Sequence, residues 1–219
     1  MQTTRDGELI ILHDGDLKRL AGDPRRVAQL SLAELQQLDI GSWKDAAFAS
    51  ERPATLGQMV ALAKGRIRLN VELKYNRVDP TLAPLVIELL RREGVLEQSI
   101  ITSIEYSAVR EAKRLAPEVQ VGLIVTKVVG DPVALEADFL SMNQDAVSAK
   151  LVDRSHAHGK QIHAWTVNDH DTQVRMIELG VDSLITDQPA AVIELRQSRA
   201  KLSSPEKLVL WLRSLYLRR

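Results

Sequence analysis

Cysteine is missing from all 219 residues, which excludes disulfides, thiolate zinc sites and a cysteine nucleophile but fixes no compartment. Net charge is missing too. Lys plus Arg and Asp plus Glu both total 29, so no global field recruits nucleic acid or an anionic membrane, and any phosphate chemistry must rest on local groups. Nor is there an apolar stretch of the roughly 18 to 20 residues that span a bilayer. The opening Met1-Gln2-Thr3-Thr4-Arg5-Asp6-Gly7-Glu8 lacks the apolar core of a signal peptide. Internal repeats, low-complexity segments and a linker long enough to split the main body are likewise absent.

What is present is 45% apolar residues, enough to close the core of one large domain or two small ones. Polar turn residues over 1–7 lead directly into the apolar run Leu9-Ile10-Ile11-Leu12, as though the chain opened in the middle of a hairpin. Short apolar runs over 67–73, 99–102, 121–125, 139–142, 161–167 and 183–186 then alternate with helical spacings such as Leu56, Met59, Val60 and Ala63, or Leu85, Ile87, Leu89 and Leu90. That alternation predicts an α/β fold with a parallel sheet covered by helices. Helix starts are marked by Ser31 ahead of Glu34, by Thr55, by Asp79-Pro80 and by Asn168-Asp169; Gly65, Gly94, Gly159 and Gly180 mark stops. The tail changes character after Gln197. Leu208, Trp211, Leu212 and Leu215 share one helical face there, while Lys207, Arg213, Arg218 and Arg219 are basic. Such a helix packs on the outside of its own domain or on another one; the alternative is an interfacial membrane helix.

Candidate chemistry gathers at strand ends. In Arg68-Leu69-Asn70-Val71-Glu72-Leu73-Lys74 alternate residues are polar, which puts Asn70, Glu72 and Lys74 on one face. A solvated half-exposed strand would look the same, but a parallel strand is normally covered on both sides and nearly continuously apolar. Because barrel enzymes place their sites at the C-terminal ends of strands, Glu72 reads as a ligand for a hard metal ion and Lys74 as a partner for phosphate oxygen. His13 ends the run 9–12 beside the turn Asp14-Gly15-Asp16, where it can move protons or simply sit at the surface. In Gln161-Ile162-His163-Ala164-Trp165-Thr166-Val167-Asn168, His163 and Trp165 share a face, and Trp165 is either core or an apolar wall for a small polyol. His156, His158 and His170 carry no signal beyond helix or loop positions. Asp187 reads as a cap for the helix after it.

The order of these pieces resembles the glycerophosphodiester phosphodiesterases from Gln2 to about Gln197. Gln2-Thr3-Thr4-Arg5-Asp6-Gly7 precedes His13-Asp14, followed by Pro53-x-Thr55-Leu56, Asn70-Val71-Glu72-Leu73-Lys74 and His163-Ala164-Trp165-Thr166-Val167-Asn168. Gly180-Val181-Asp182 and Ile185-Thr186-Asp187-x-Pro189 complete the series. The resemblance implies a (β/α)8 TIM-type barrel domain over 1–197, followed by the basic amphipathic helix of 198–219. It implies hydrolysis of glycerophosphodiesters to sn-glycerol 3-phosphate and an alcohol, dependent on a divalent metal, Mg2+ or Ca2+, held by carboxylates between two histidines. On matching positions, His13 and Lys74 are catalytic, Glu72 is a metal ligand and Trp165 is substrate-binding. The implied partner is a small-molecule glycerophosphodiester and no nucleic acid, with membrane association through the C-terminal helix or a missing N-terminal region as an open alternative. The expected location is cytoplasmic or membrane-associated.

The family's His-Arg-Gly strand, its Pro-Glu-Asn segment and its Glu-x-Asp pair have no counterpart and would precede Met1. The expectation is therefore a barrel lacking its first strand, first helix and most of its second strand, whose natural sequence extends upstream with an aspartate one residue before Met1. A βαβ unit takes roughly 30 residues, which accounts for a barrel shorter than roughly 250. The chain itself is expected to be inactive with half a site. Alternatives are a truncated relative that only folds or binds, and a phospholipase-like diesterase.

Overall fold

A computed structural model describes residues 1–75, 79–127 and 130–217. Internal contacts divide the chain into two units, Met1–Val121 and Gly122–Arg219.

The first unit opens with the expected hairpin. Strands β1 (Gln2–Thr3) and β2 (Leu9–Ile10) pair antiparallel, Gln2 opposite Ile10 and Thr3 opposite Leu9. The turn between them needs a left-handed residue, supplied by Gly7 at φ 86°. A second antiparallel pair, β3 (Asp16–Leu17) with β4 (Asp23–Arg26), flanks the short helix α1 (Lys18–Ala21). Period-2 patterning gives no hint of it, because Asp23-Pro24-Arg25-Arg26 has no apolar face. Its anchor is Leu17, fully buried with Ile10, Leu12, Val27, Leu30 and Leu35 in one apolar cluster.

Helix α2 (Leu32–Leu35) carries the predicted box: Ser31 N–H donates to Glu34 Oε2 at 2.7 Å, and Glu34 N–H donates to Ser31 Oγ at 3.2 Å. Thr55 and Gln58 cap α3 (Leu56–Ala63) in the same reciprocal way. Strand β5 (Leu69–Glu72), helix α4 (Leu82–Arg92), strand β6 (Ser99–Ser103) and helix α5 (Tyr106–Leu115) follow, with β5 and β6 parallel from Leu69 opposite Ser99 to Glu72 opposite Thr102. β5 starts later than the apolar run suggests because the Ile67 N–H is committed to Ala63 O at 3.1 Å, in the last turn of α3.

Strand β7 (Gln120–Val125) begins in the last residues of the first unit and continues into the second. There, β8 (Phe139–Asn143), α6 (Ala149–Ala157), β9 (Gln161–Trp165), α7 (His170–Leu179), β10 (Ser183–Leu184), α8 (Pro189–Ala200) and α9 (Ser204–Leu217) alternate strand with helix. The strands pair in parallel in the order β10-β9-β8-β7. Both units thus have the expected α/β character. Asp169 caps α7 through the Thr172 N–H at 2.9 Å, and Gly180 ends it at φ 81°.

Asp187 does not cap α8. Its carboxylate accepts from Asn168 Nδ2 at 2.8 Å, and its N–H donates to Asn168 Oδ1 at 2.9 Å, so it closes the end of β9 instead. Helix α9 of the tail lies against α7 and leaves Leu208, Val209 and Leu212 exposed. The tail's Arg218 and Arg219, and the side chains of Lys207, Trp211, Arg213 and Leu215, lie outside the described residues. Among the described residues no helix is long and apolar enough to cross a membrane.

Candidate active site

Three of the four residues singled out in the sequence meet in the first unit. Val71 and Leu73 turn inward and are buried, which forces Glu72 and Lys74 onto the opposite face, where they are half-buried. The backbone carrying them is held from both sides. Leu73 N–H donates to Thr102 O at 2.7 Å, Lys74 N–H donates to Met1 O at 3.1 Å, and Met1 N donates to Glu72 O at 2.8 Å. Ser103 Oγ adds a bond to Leu73 O at 2.8 Å.

His13 reaches this face from the loop after β2. The side chain of Gln2, itself buried, donates to the carbonyls of both flanking residues, Leu12 at 3.0 Å and Asp14 at 2.8 Å. The backbone at His13 is thereby fixed while its side chain stays 73% exposed. Both ring nitrogens are engaged. Nδ1 lies 2.7 Å from Asp14 Oδ1, and Nε2 lies 2.9 Å from Lys74 Nζ. Asp14 only accepts and an ammonium only donates, so the partners assign the proton to Nδ1 and leave a lone pair on Nε2.

The second oxygen of Asp14 accepts from Arg19 Nε at 2.6 Å, and the Arg19 guanidinium lies over the Trp43 ring, 4.7 Å from its centroid. Arg19 first, and His13 second, hold the Asp14 carboxyl below the ordinary carboxylate range. Lys74 Nζ lies 4.0 Å from Glu72 Oε1. These pairs are only partly covered, with His13 and Arg19 largely exposed, and contribute modestly to stability. What they fix is position: a cation, a proton acceptor and a carboxylate share one polar rim.

Trp165 belongs to the second unit. It is half-buried at the end of β9, and its indole Nε1–H meets no acceptor among the described residues. Two residues earlier, His163 is buried and stacks on Phe139 at 4.1 Å between ring centroids.

Sequence patterning missed Gln2 and Arg19 as parts of the rim. Asp14 was visible beside His13 but had no assigned partner. Arg19 sits on a four-residue helix without periodicity, and Gln2 reads as one more polar turn residue.

A divalent ion such as Ca2+ or Mg2+ takes several oxygen ligands. Glu72 lies beside an ammonium, and among the described residues no group of three or more His, Asp or Glu side chains converges to hold a metal. The described residues therefore do not hold such an ion by themselves.

The sequence profile of the glycerophosphoryl diester phosphodiesterase family matches residues 1–191. A glycerophosphodiester phosphodiesterase of Caldanaerobacter subterraneus is 29% identical over 201 residues, covering 89% of this chain and 83% of the relative. Among solved structures, an Oleispira antarctica phosphodiesterase in complex with the product sn-glycerol-3-phosphate superposes with a TM-score of 0.80 at 26% identity, covering 88% of this chain and 81% of that one. A glycerophosphodiester phosphodiesterase from Parabacteroides distasonis gives 0.79 at 25% identity, with 91% and 82% covered. The fold is that of the barrel-type α/β enzymes in this group.

Proposed function

This chain belongs to the glycerophosphoryl diester phosphodiesterase family, and on that premise we propose that it acts on glycerophosphodiesters, with sn-glycerol 3-phosphate and an alcohol as products. The observation that carries the reading is the 2.9 Å approach of His13 Nε2 to Lys74 Nζ at the C-terminal end of β5. Hydrolysis adds water across a P–O bond, the oxygen going to phosphorus and a proton to the leaving alcohol oxygen. Lys74 takes a non-bridging phosphate oxygen and balances its developing charge. As it turns to the phosphate it releases the His13 lone pair, and Nε2 then carries one of the two proton transfers. The product held by the Oleispira relative supports a glycerol phosphate as the ligand class. Trp165 enters as the substrate's apolar wall through the resemblance of its segment.

Metal dependence, with Glu72 as a ligand, requires more donors than the described residues bring together. That shortfall favours a second reading, in which the 219-residue chain binds the phosphate but turns it over slowly. Calorimetric titration with sn-glycerol 3-phosphate, alongside assays of its release with Mg2+ and Ca2+, tests both readings. Binding that Lys74→Met weakens by about 10- to 100-fold supports the assignment; no binding, or binding untouched by Lys74→Met, contradicts it. Metal-dependent release at ordinary enzyme rates of about 1 per second or faster would overturn the slow-turnover reading.

A further inference from the structure

A histidine does its work only if the correct nitrogen carries the proton, and the hydrogen bond at the other nitrogen decides which one does. For His13 that bond goes to Asp14 Oδ1. Asp14 is itself a partly exposed carboxylate in a turn, and rotation about its terminal torsion is soft and roughly two-fold. Left alone, the carboxylate plane would turn away from the imidazole, whose Nδ1–H would lose its fixed acceptor. Arg19 prevents this by taking Oδ2 at 2.6 Å.

Arg19 is in turn held from behind. Its guanidinium stacks on Trp43, a contact that a planar cation makes well and an ammonium makes less well. The large indole, 52% exposed, is anchored rather than loose. Its Nε1–H donates to Ile40 O at 2.8 Å, and Asp39 Oδ1 accepts from the N–H groups of Gly41 and Ser42 at 2.8 and 2.9 Å. A Cβ at Gly41 would overlap the carbonyl of Phe48, so the loop is closed tightly at that point. The chain of contacts runs from this loop through Trp43, Arg19 and Asp14 to His13 and ends on Lys74.

We propose that Arg19 is a positioning residue that acts through Asp14 to keep the His13 proton on Nδ1 and its Nε2 lone pair toward Lys74, with Trp43 bracing the guanidinium. The proposal rests on the reading of His13 as a proton-transfer group, yet its test needs no turnover. Long-range 1H–15N spectra of the 15N-histidine-labelled full chain, above the imidazole's titration range, report the tautomer directly. The wild type should show His13 mainly as the Nδ1–H form. Asp14→Asn and Arg19→Met should each raise the share of the Nε2–H form at least twofold, Arg19→Lys should fall between wild type and Arg19→Met, and His163 should stay unchanged throughout. A wild-type tautomer in Arg19→Met overturns the proposal, as does an equal change at His163, which would mark a general loosening of the fold. Adding sn-glycerol 3-phosphate to the same samples separates the two claims. If His13 ignores the ligand but its tautomer follows Arg19, the functional reading fails and the positioning role stands. The reverse pattern overturns the positioning role alone.

Discussion

Each unit holds a histidine on or just beyond a strand, His13 in the loop after β2 and His163 in the middle of β9, and their surroundings could hardly differ more. His13 is 73% exposed with charged groups on both nitrogens. His163 is 6% exposed, stacked on Phe139, and its Nε2 lies at 3.4 Å from Gln161 Oε1. The first has both nitrogens committed to charged groups on the polar rim, as the proposed proton transfer and phosphate binding require. The second fills space. Only the residue type is shared, and place and neighbours set the difference: a loop with a carboxylate and an ammonium at one site, a strand interior with an aromatic ring at the other.

The contrast can be broken or sharpened by substitution. Phe139→Ala should have the largest effect, removing the fully buried ring on which His163 stacks and lowering stability by about 3–5 kcal/mol. His13→Ala should change stability by less than about 0.5 kcal/mol in the same denaturant titration, because it deletes an exposed side chain. Equal losses would erase the distinction. Next comes Lys74→Met, which removes the proposed charge-assisted bond to the phosphate and should weaken sn-glycerol 3-phosphate binding by about 10- to 100-fold, read by calorimetry. Gly122→Ala forces a Cβ into the Phe139 ring and should cost about 1–3 kcal/mol, seen as a lower melting temperature with phosphate binding intact.

The smallest effect is one of pH. Asp14 is depressed in the folded state, by Arg19 first and His13 second, so it contributes stability above its unfolded pKa that is lost as pH falls through the folded value. Acidification from about pH 5 to about pH 3 should therefore loosen the Asp14–Arg19 contact at the His13 rim while the stacked ring pair of the second unit stays in place. Side-chain NMR of the two histidines during the titration checks this; loss of the His163 environment first would contradict it.

Much of this was legible in the sequence. The runs at 99–102, 121–125, 139–142 and 161–167 each yielded a strand, the last ending at Trp165, because consecutive apolar residues in a parallel sheet are buried on both faces. The caps at Ser31, Thr55 and Asp169 formed as read, since capping depends on residues only three apart. The meeting of His13 with Lys74 was expected only through the family resemblance, because 61 residues separate them. Local pattern failed where contacts are remote or lack periodicity. The β3–β4 pair hangs on Leu17 alone, and the Arg19–Trp43 stack joins a four-residue helix to an irregular loop. Asp187 shows the opposite error, a good cap residue drawn away by Asn168.

The central claim, that the His13–Lys74 rim takes the phosphate of a glycerol phosphate, is tested most directly by following both histidines in one sample. Titrating sn-glycerol 3-phosphate into 15N-histidine-labelled protein should move the His13 ring resonances saturably and those of His163 far less, and Lys74→Met should shift the His13 response to about 10- to 100-fold higher ligand concentration. No response at His13, or one that persists unchanged in Lys74→Met, would contradict the account.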